Sequence, residues 1–454
     1  MTKISFCGIS GNGVSAVAQI MAKKGFEVRG SDRSFDNGGD QDRRKALEEV
    51  GIKIYPQDGS AITDDVDILY VSTAVEDSIP DVKAAKAKNI PIKTRPDLLA
   101  ELFHQYPHNI AVSGTSGKTT TTGMIGYILD TLGKKPCTIN GGYMKNYAGQ
   151  KGIPNIIYNQ GDICVIEADE SNGSIEKYTP YIGIINNIGM DHKSLDELET
   201  LFHNFAGRCT HGLVVNRDCD NCKDIRNDKI ANLSFSIEDS SADFFAGNIK
   251  AIPGGTSYTL DGREFKIRLI GRFNVSNALA AITACSLLGI DKFAAAQALE
   301  GFLGTQRRLE VVGTKKDITF IDDFAHNPDK VMGSMSALKD YPGRVIVMFQ
   351  PHGFAPMKLT GRDIVKSFAA QMGKDDILVM PDIYFAGGTA DQSISSKQLI
   401  EEAVSLGVNA RYIPARKDVE DFILKNAKAG DRVVIMGARD NTLPDFSRKL
   451  LQEI

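Results

Sequence analysis

The stretch from Ile110 to Thr122 constrains the fold of this chain more than any other. It reads IAVSGTSGKTTTT, so an apolar run breaks into glycines and then into a lysine followed by four threonines. This order is typical of a strand, a phosphate-binding loop and the first turn of a helix. Backbone N–H groups around Gly114–Gly117 would surround a polyphosphate, Lys118 would reach its outer phosphates, and Thr119 would bind Mg²⁺. The stretch therefore predicts an ATP site.

The motif is shorter than the full G-x-x-x-x-G-K-[ST] pattern. Val112 stands where the first glycine of that pattern belongs. The structural alternative is a glycine-rich turn that leads from strand to helix and is capped by threonines. Turn chemistry alone does not call for a lysine followed by four threonines, so the ATP interpretation is the more economical one.

Length, charge and cysteine usage limit the class of protein. A chain of 454 residues predicts about three domains. A net charge of -4 offers no basic field for nucleic acid, and we find neither a signal peptide nor an apolar run of membrane-spanning length. We therefore expect a cytoplasmic protein that binds neither nucleic acid nor membrane, with its cysteines as reduced thiols.

A second glycine turn lies near the N-terminus. A predicted strand at Lys3–Phe6 ends in Gly8-Ile-Ser-Gly11-Asn-Gly13, and a helix and a second strand ending near Asp32 follow. This predicts a Rossmann-like start, in which the turn suits a pyrophosphate and Asp32 suits a sugar or base hydroxyl. The spacing G-x-x-G-x-G differs from the dinucleotide fingerprint. NAD, another diphosphate nucleotide, or a turn that serves packing alone all remain open.

Carboxylates follow the next buried strands. The predicted strand Asp162–Glu167 ends in Glu167-Ala-Asp-Glu-Ser171, and the strand at Tyr181–Asn187 ends close to Asp191-His192. Carboxylates at the carboxyl end of a strand beside a phosphate loop are placed to hold Mg²⁺. Each pattern alone also fits a helix cap or an acidic turn. Their order after a phosphate loop favours the metal interpretation.

Four further strands, at 318–321, 344–349, 377–380 and 432–436, alternate with helices and predict a doubly wound parallel sheet. The predicted fold class is α/β with three domains. These are a Rossmann-like N-terminal domain (1–106), a central P-loop ATPase α/β domain (107–304) and a C-terminal Rossmann-like α/β domain (305–454).

Four residues suggest a possible zinc site, namely Cys209, His211, Cys219 and Cys222. A predicted strand at Leu213–Arg217 separates the two pairs and would place them at its opposite ends. One strand cannot fold both pairs onto one tetrahedral ion, which makes zinc the less favoured interpretation, and metal binding by these residues stays open.

The motifs, taken in chain order, resemble the Mur ligase family over the whole length. Within that family they are most similar to the branch that joins UDP-N-acetylmuramate to L-alanine. The matching segments are Gly114–Thr122, Glu167–Ser171, Asn187-x-x-x-Asp191-His192, Gly271-Arg-Phe-Asn-x-x-Asn277, Arg307-Arg308, Asp322–Pro328, Phe349–His352 and Met436–Ala438. The resemblance implies an ATP-dependent amide ligase that phosphorylates a carboxylate and lets an amine attack the acyl phosphate.

The resemblance also implies sets of site residues. The UDP-sugar would be bound by Gly8, Gly11, Gly13, Ser31, Asp32, Ser72 and Arg95. ATP would be bound by Gly114, Thr115, Ser116, Gly117, Lys118, Thr119, Thr120, Asn274, Asn277 and Asp323. The catalytic residues would be Lys118, Glu167, His192 and Arg308, and the Mg²⁺ ligands would be Thr119, Glu167 and His192.

The acceptor region departs from the family pattern. The resemblance implies His352 as an acceptor residue, but the Arg-Tyr-x-Arg that follows in the similar branch is replaced by Gly353-Phe-Ala-Pro356 here. Lys358 and Arg362, slightly further along the chain, are the candidates to supply the missing positive charge at the acceptor. Phe324 also replaces a tyrosine. We therefore expect UDP-N-acetylmuramate as one partner and an amino acid or a peptide as the other, in a monomer or homodimer. L-alanine and the larger acceptor of a murein peptide ligase both remain open, and an NAD-binding oxidoreductase or sensor is the alternative outside the family.

Overall fold

The computed structural model describes residues 2–72, 75–171, 173–189, 194–385 and 391–454. The chain divides into two compact units. The first comprises Met1–Asn248, Tyr258–Ile267 and Ser276–Thr305, and the second comprises Ile249–Ser257, Arg268–Val275 and Gln306–Ile454. The predicted boundary near residue 106 separates two sheets inside the first unit, and it stays a prediction.

The N-terminal sheet is parallel, with the strand order β3-β2-β1-β4-β5 among the described residues. Its strands are β1 (Lys3–Cys7), β2 (Glu27–Ser31), β3 (Lys53–Tyr55), β4 (Ile68–Val71) and β5 (Ile92–Thr94). Its helices are α1 (Asn12–Lys23), α2 (Arg33–Asp36), α3 (Gln41–Glu49), α4 (Pro80–Ala87) and α5 (Arg95–Phe103). The sequence predicts four of these strands. It misses β3, a three-residue edge strand with no buried position.

A larger central sheet follows, with the order β15-β14-β13-β12-β11-β10-β6-β9-β7-β8 in the described part of the chain. Its first strands are β6 (His108–Ser113), β7 (Cys137–Ile139), β8 (Ile156–Tyr158), β9 (Ile163–Glu167) and β10 (Ile182–Ile185). The others are β11 (Gly212–Asn216), β12 (Ala231–Ser236), β13 (Phe244–Ile252), β14 (Gly255–Leu260) and β15 (Arg263–Ile267). The helices are α6 (Lys118–Thr131), α7 (Leu195–Arg208), α8 (Arg272–Ser286) and α9 (Lys292–Leu299), with 3₁₀ turns at Lys145–Tyr147 and Ser174–Lys177.

The C-terminal sheet has the order β16-β17-β21-β18-β19-β20 over the described ranges. Its strands are β16 (Glu310–Lys315), β17 (Ile318–Asp323), β18 (Val345–Phe349), β19 (Ile377–Met380), β20 (Ala410–Tyr412) and β21 (Arg432–Met436). Its helices are α10 (Pro328–Lys339), α11 (Phe354–Gln371), α12 (Ser396–Ser405), α13 (Arg416–Asn426) and α14 (Leu443–Glu453). The sheet is parallel apart from the antiparallel edge strand β16. The predicted α/β fold class is confirmed.

The apolar run that begins the phosphate-loop stretch lies at the centre of the first unit. Ile110, Ala111 and Val112 are fully buried because β6 is flanked on both sides by parallel strands, β9 and β10. Parallel strands covered on both faces read as continuous apolar runs, which is why this strand is visible in the sequence. Among the residues that the structure describes, no helix is long and apolar enough to cross a membrane.

Candidate active site

The loop between β6 and α6 has a backbone that requires glycine. Gly114 and Gly117 have φ angles of +128° and +84°, a region that side chains rarely adopt. A Cβ atom at Gly117 would collide with Oδ1 of Asn277, and one at Gly114 would lie 3.0 Å from the backbone nitrogen of Asn187. The loop is therefore a tight turn seated against both asparagines, with its N–H groups at the N-terminus of α6, where anions bind.

Asn187 holds this loop from the side. Its backbone oxygen accepts the Thr115 N–H at 3.0 Å, and its Oδ1 accepts the Ser116 N–H at 2.8 Å. Its Nδ2 in turn donates to the Ser116 oxygen at 3.1 Å. Three hydrogen bonds from one residue fix the turn. From sequence, Asn187 appears only as the first letter of a family motif and has no role of its own.

Lys118 lies inside the turn. Its Nζ donates to the Gly114 oxygen at 2.6 Å and to Oε2 of Glu170 at 2.7 Å. The Lys118 side chain is 15% exposed and that of Glu170 is 7% exposed, so the pair is shielded from water. The sequence singles out the carboxylate at 167 and misses Glu170. The available signal was the third carboxylate of the Glu167-Ala-Asp-Glu170 run.

The structure brings two of the three predicted Mg²⁺ ligands together. Thr119 Oγ1 donates to Oε2 of Glu167 at 2.9 Å, and Oε1 of Glu167 accepts the Gly141 N–H at 2.5 Å. A hydroxyl and a carboxylate are oxygen ligands of the kind that Mg²⁺ prefers, so these residues fit that ion. The third predicted ligand, His192, lies outside the described residues.

The four candidate zinc ligands do not converge. Within the described ranges no group of three or more His, Cys, Asp or Glu side chains is placed to hold a metal ion. Cys209 lies before β11 and donates to the Phe205 oxygen, whereas Cys222 lies beyond β11 and donates to the Asn216 oxygen. The separation expected from the intervening strand is therefore observed.

The N-terminal glycine turn gathers several of the predicted UDP-sugar residues. A Cβ atom at Gly8 would lie 3.3 Å from Cβ of Ser72, and one at Gly13 would lie 3.3 Å from Nε of Arg95. Gly8 also has a φ angle of +80°. The turn therefore lies directly against Ser72 and under the Arg95 guanidinium, a cation suited to a diphosphate.

Ser31 and Asp32 play parts within the protein itself. The Asp32 carboxylate accepts the backbone N–H groups of Ser10 at 2.8 Å and Ser34 at 2.9 Å, so it shapes the turn and caps α2. The Ser31 hydroxyl is bonded to the buried carboxyl of Asp81, whose pKa is raised by burial. The structure therefore directs the Ser31 hydroxyl to Asp81, whereas the resemblance implies a contact with the nucleotide.

A short chain of hydrogen bonds joins the N-terminal glycine turn to the loop after β7, which contains Gly141. Asn12, in the N-terminal turn, donates from Nδ2 to the Gly141 oxygen at 3.0 Å and accepts from Asn155 Nδ2 at 2.9 Å. Gly141 is the same residue whose N–H is bonded to Glu167. The backbone of Gly141 therefore connects the first turn to a candidate metal ligand, a link without any sequence signal.

Helix α8 carries the two predicted adenine residues one turn apart. Asn274 and Asn277 are 3% and 7% exposed. Asn274 Nδ2 donates to the Ile270 oxygen at 2.8 Å, and Asn277 Oδ1 accepts from the Thr121 hydroxyl at 3.3 Å. Asn277 therefore contacts the phosphate-loop helix directly. A role in adenine binding stays a prediction for both residues.

Acidic residues at the end of β17 are buried in the second unit. Burial raises the pKa of Asp322 to about 7, although Arg307 Nε lies 3.4 Å from its Oδ1. The Asp323 carboxylate accepts the Leu309 N–H at 3.2 Å and the Ser334 hydroxyl, and burial raises its pKa too. The side chain predicted to bind the ATP ribose is thus already bonded within the unit.

The two arginines before β16 have different surroundings. Arg307 donates to the backbone oxygens of Gly437 and Ala438 at 2.6 and 3.1 Å, which ties it to the end of β21. Both guanidinium groups lie 5.1 Å from the ring centroid of Phe324, so the backbone bonds of Arg307 are what distinguish the two. Arg307 is therefore a structural residue, while the role predicted for Arg308 at the γ-phosphate stays a prediction.

The predicted acceptor residues are on different elements. His352 follows β18 and is 9% exposed, and its Nδ1 has no hydrogen-bond partner among the described residues. Burial and the charge of Arg439 lower its pKa. Lys358 lies on α11, where it is 59% exposed and paired with Asp391 at 2.6 Å. The structure thus places His352 at the strand ends and Lys358 on an exposed helix.

Comparison with known proteins identifies the class. Three family models match successive segments. They describe the Mur ligase family catalytic domain (3–107), the Mur ligase middle domain (112–285) and the Mur ligase glutamate ligase domain (307–439). The chain belongs to the Mur ligase family, and it is an ATP-dependent ligase.

Individual relatives match over nearly the whole chain. A UDP-N-acetylmuramate--L-alanine ligase from Caldicellulosiruptor bescii is 34% identical over 97% of this chain and 96% of its own length. One from Agathobacter rectalis is 33% identical over 96% and 95%. The solved structure of UDP-N-acetylmuramate-alanine ligase MurC from Thermotoga maritima superposes with a TM-score of 0.81 at 25% identity, covering 100% of this chain and 99% of that one. A murein peptide ligase from Psychrobacter arcticus shares the fold, with a TM-score of 0.68 at 23% identity and coverage of 100% and 98%.

Proposed function

We propose that this chain uses ATP and Mg²⁺ to join the carboxylate of UDP-N-acetylmuramate to L-alanine in peptidoglycan precursor synthesis. The observation that carries the proposal is the grouping of Lys118, Thr119 and Glu167 at one phosphate loop. The near full-length similarity to enzymes named UDP-N-acetylmuramate--L-alanine ligase supports the choice of substrates.

The chemistry requires activation of a carboxylate. A carboxylate oxygen is a poor leaving group, so it first attacks the γ-phosphorus of ATP, and ADP departs. The amine then attacks the carbonyl carbon of the acyl phosphate, phosphate leaves, and the nitrogen loses a proton to give the amide. Both steps place negative charge on phosphoryl or carbonyl oxygens, which fixed cations stabilise.

Lys118 is the cation best placed for this task in the first unit. Its ammonium group lies inside the turn and is shielded from water, where its charge acts more strongly than on the surface. Glu170 holds the ammonium in position. We propose that phosphate oxygens join or replace Glu170 as its partner. Thr119, Glu167 and His192 would hold Mg²⁺, which when bound offsets charge on the phosphate oxygens.

The N-terminal turn would bind the UDP-sugar. Arg95 lies over Gly13 and supplies positive charge at the turn. The Asp32 carboxylate has lone pairs beyond the two that accept the Ser10 and Ser34 amides, and these suit a sugar hydroxyl. Roles for Arg308 at the γ-phosphate and for Asp323 at the ribose complete the proposal.

A second candidate keeps the same chemistry and changes the acceptor. Both arginines of the similar branch are replaced by Gly353 and Pro356, and Lys358 is paired with Asp391 on the exposed side of α11. Besides burial, the charge of Arg439 lowers the pKa of His352, which indicates that this cation lies near the imidazole. An acceptor carboxylate would therefore depend on Arg439 and His352. The replacement of both arginines by Gly353 and Pro356 also suits a larger amine or peptide as the acceptor.

The main test is phosphate release in the presence of ATP, Mg²⁺ and UDP-N-acetylmuramate, with and without L-alanine. We expect release that depends on all four components, and mass spectrometry should show UDP-N-acetylmuramoyl-alanine. NAD in place of UDP-N-acetylmuramate should neither support turnover nor raise the melting temperature. Thermal stabilisation by NAD with none by UDP-N-acetylmuramate would overturn the proposal.

Acceptor choice is tested by comparing L-alanine with a tripeptide acceptor. The proposed function predicts the higher kcat/KM for L-alanine. We expect Arg439→Ala to raise the KM for L-alanine about tenfold or more, because it removes a charged partner of the carboxylate. The matched control Lys366→Ala, at another exposed lysine of α11, should leave that KM unchanged. A higher kcat/KM for the tripeptide would establish the second candidate instead.

A further inference from the structure

One motif is not used by the proposed reaction. Cys219 and Cys222 lie in a turn just beyond β11, and the Cys222 N–H donates to the Cys219 oxygen at 3.0 Å. A turn closed in this way keeps its first and fourth Cα atoms within about 7 Å. Disulfides span Cα separations of about 4.4–6.8 Å. The turn therefore brings the Cα atoms of Cys219 and Cys222 close to the range that a disulfide spans.

The two thiols differ in exposure and in charge. Cys222 is fully buried, and its sulfur donates to the Asn216 oxygen at 3.5 Å. Cys219 is partly exposed, and its sulfur accepts the Ile188 N–H at 3.3 Å. The Cys222 thiol and nearby backbone N–H groups lower the pKa of Cys219 to about 6. Cys219 is thus the accessible nucleophile and Cys222 the buried, protonated partner.

The turn is joined to the phosphate loop through two residues. Asn221 Nδ2 donates to the Ile188 oxygen at 2.9 Å, so the turn holds both backbone groups of Ile188. The next residue, Gly189, donates its N–H to Thr115 Oγ1 at 3.0 Å and accepts from that hydroxyl at 3.1 Å. Thr115 belongs to the phosphate loop. A change at Cys219 therefore reaches the loop through the backbone of 188–189.

We propose that Cys219 and Cys222 form a site of reversible oxidation, where a peroxide closes an intramolecular disulfide that weakens nucleotide binding at the phosphate loop. The effect on nucleotide binding rests on the proposed function; the oxidation itself does not. A sulfur bound in a disulfide carries no negative charge, so it no longer holds the Ile188 N–H as a thiolate does.

The reaction balances with a peroxide as the oxidant. The Cys219 thiolate attacks one peroxide oxygen, the O–O bond breaks, and the departing oxygen takes a proton to leave as an alcohol or water. The Cys222 sulfur then attacks the resulting sulfenic acid, loses its own proton and expels water. In total two thiols and one peroxide give one disulfide, one alcohol or water, and one further water.

The chain contains an internal comparison for this site. Cys137 and Cys164 lie directly opposite each other on β7 and β9. Both are buried, as are Cys7, Cys209 and Cys285. Closeness alone therefore does not single out the proposed pair. Exposure of one thiol within a closed turn does, so a peroxide should reach Cys219 first.

The test treats the full-length protein with hydrogen peroxide, followed by differential alkylation and peptide mass spectrometry. We expect a disulfide between Cys219 and Cys222. Calorimetry should show about tenfold weaker binding of a non-hydrolysable ATP analogue, within the usual range for coupled sites, and dithiothreitol should restore it. Before peroxide treatment, the Cys222→Ser variant should bind the ATP analogue as tightly as the parent protein does. After treatment, dimedone should trap a sulfenic acid on Cys219 of this variant. Cys137→Ser should behave like the parent protein.

The outcomes separate the two proposals. Oxidation at other cysteines before Cys219, or none at the pair, would overturn the oxidation site. A disulfide that forms without changing affinity for the analogue would overturn its effect on the loop. Failure of the reduced protein to bind the analogue would refute the proposed function, while the disulfide found by mass would still support the oxidation site.

Discussion

The phosphate loop of the first unit and the strand ends of the second unit are built in different ways. In the loop, the anion-facing groups are backbone amides in a turn that glycines make possible, and Asn187 fixes that turn. At the strand ends, side chains join separate segments, as when Arg307, before β16, bonds the backbone at Gly437, after β21. The groups of the loop are consecutive in sequence, with Asn187 as a distant support, whereas those at the strand ends come from segments far apart in sequence.

This difference predicts how far function and stability can be separated. The Lys118 ammonium bonds single groups in the loops after β6 and β9, so its loss should affect ligands more than the overall fold. Asp322 and Asp323 are buried where β17 ends, so changes there should alter folding stability directly.

The largest effect is expected from Lys118→Ala. Turnover should fall by at least about a thousandfold, because a cation that stabilises transferred charge is lost. The far-ultraviolet circular dichroism spectrum should change little, whereas the melting temperature should fall because the buried Glu170 carboxylate loses its partner. The matched control is Lys134→Ala, which alters an exposed lysine beyond α6. A variant at 118 that turns over normally would break the assignment of the loop.

Gly117→Ala should weaken ATP binding by about a hundredfold, since the new Cβ collides with Asn277 and distorts the turn. Its matched control is Gly133→Ala. Gly133 also has a positive φ angle, +71°, but nothing lies within 4 Å of its added Cβ. Both variants carry the backbone strain of about 1 kcal/mol, so a difference in affinity for an ATP analogue isolates the collision. Equal affinities would show that the turn tolerates a side chain.

Asp322→Asn tests the second unit by its pH dependence. The pKa of Asp322 is raised in the folded state to about 7, above about 3.9 in the unfolded chain, so its contribution to stability is lost as pH rises through 7. When the pH is raised from 5 to 8, the free energy of unfolding should fall by about 2–3 kcal/mol less in the variant than in the parent protein. Urea unfolding at the two pH values measures this. In the exposed control Asp445→Asn, the free energy of unfolding should change with pH as it does in the parent protein. The same pH dependence in Asp322→Asn would refute the raised pKa.

The same contrast explains what the sequence could predict. The phosphate loop was visible because its glycines, lysine and threonines are consecutive, and Thr119 and Glu167 do meet as expected. Glu170 was missed because three nearby carboxylates look alike in sequence. The bond between Ser31 and Asp81 joins residues fifty positions apart, so no local pattern could show that this hydroxyl is already engaged.

The smallest effect is expected from loss of the hydrogen bond between Asn12, in the N-terminal turn, and Gly141, in the loop after β7. Asn12→Ala removes the hydrogen bond to the Gly141 oxygen and leaves the Gly141 N–H on Glu167. A single hydrogen bond is worth about 0.5–1.5 kcal/mol. If this hydrogen bond couples the two sites, UDP-N-acetylmuramate should change the affinity for an ATP analogue about threefold less in the variant than in the parent protein. Each ligand alone should bind as before.

Lys177→Ala is the matched control. The ion pair of Lys177 with Asp97, at 2.8 Å, also joins the chain before residue 106 to the chain after it, on the exposed side of this junction. An equal change in both variants would mean that the junction is merely loosened. A change confined to Asn12→Ala would show that this one hydrogen bond couples the N-terminal turn to the phosphate loop.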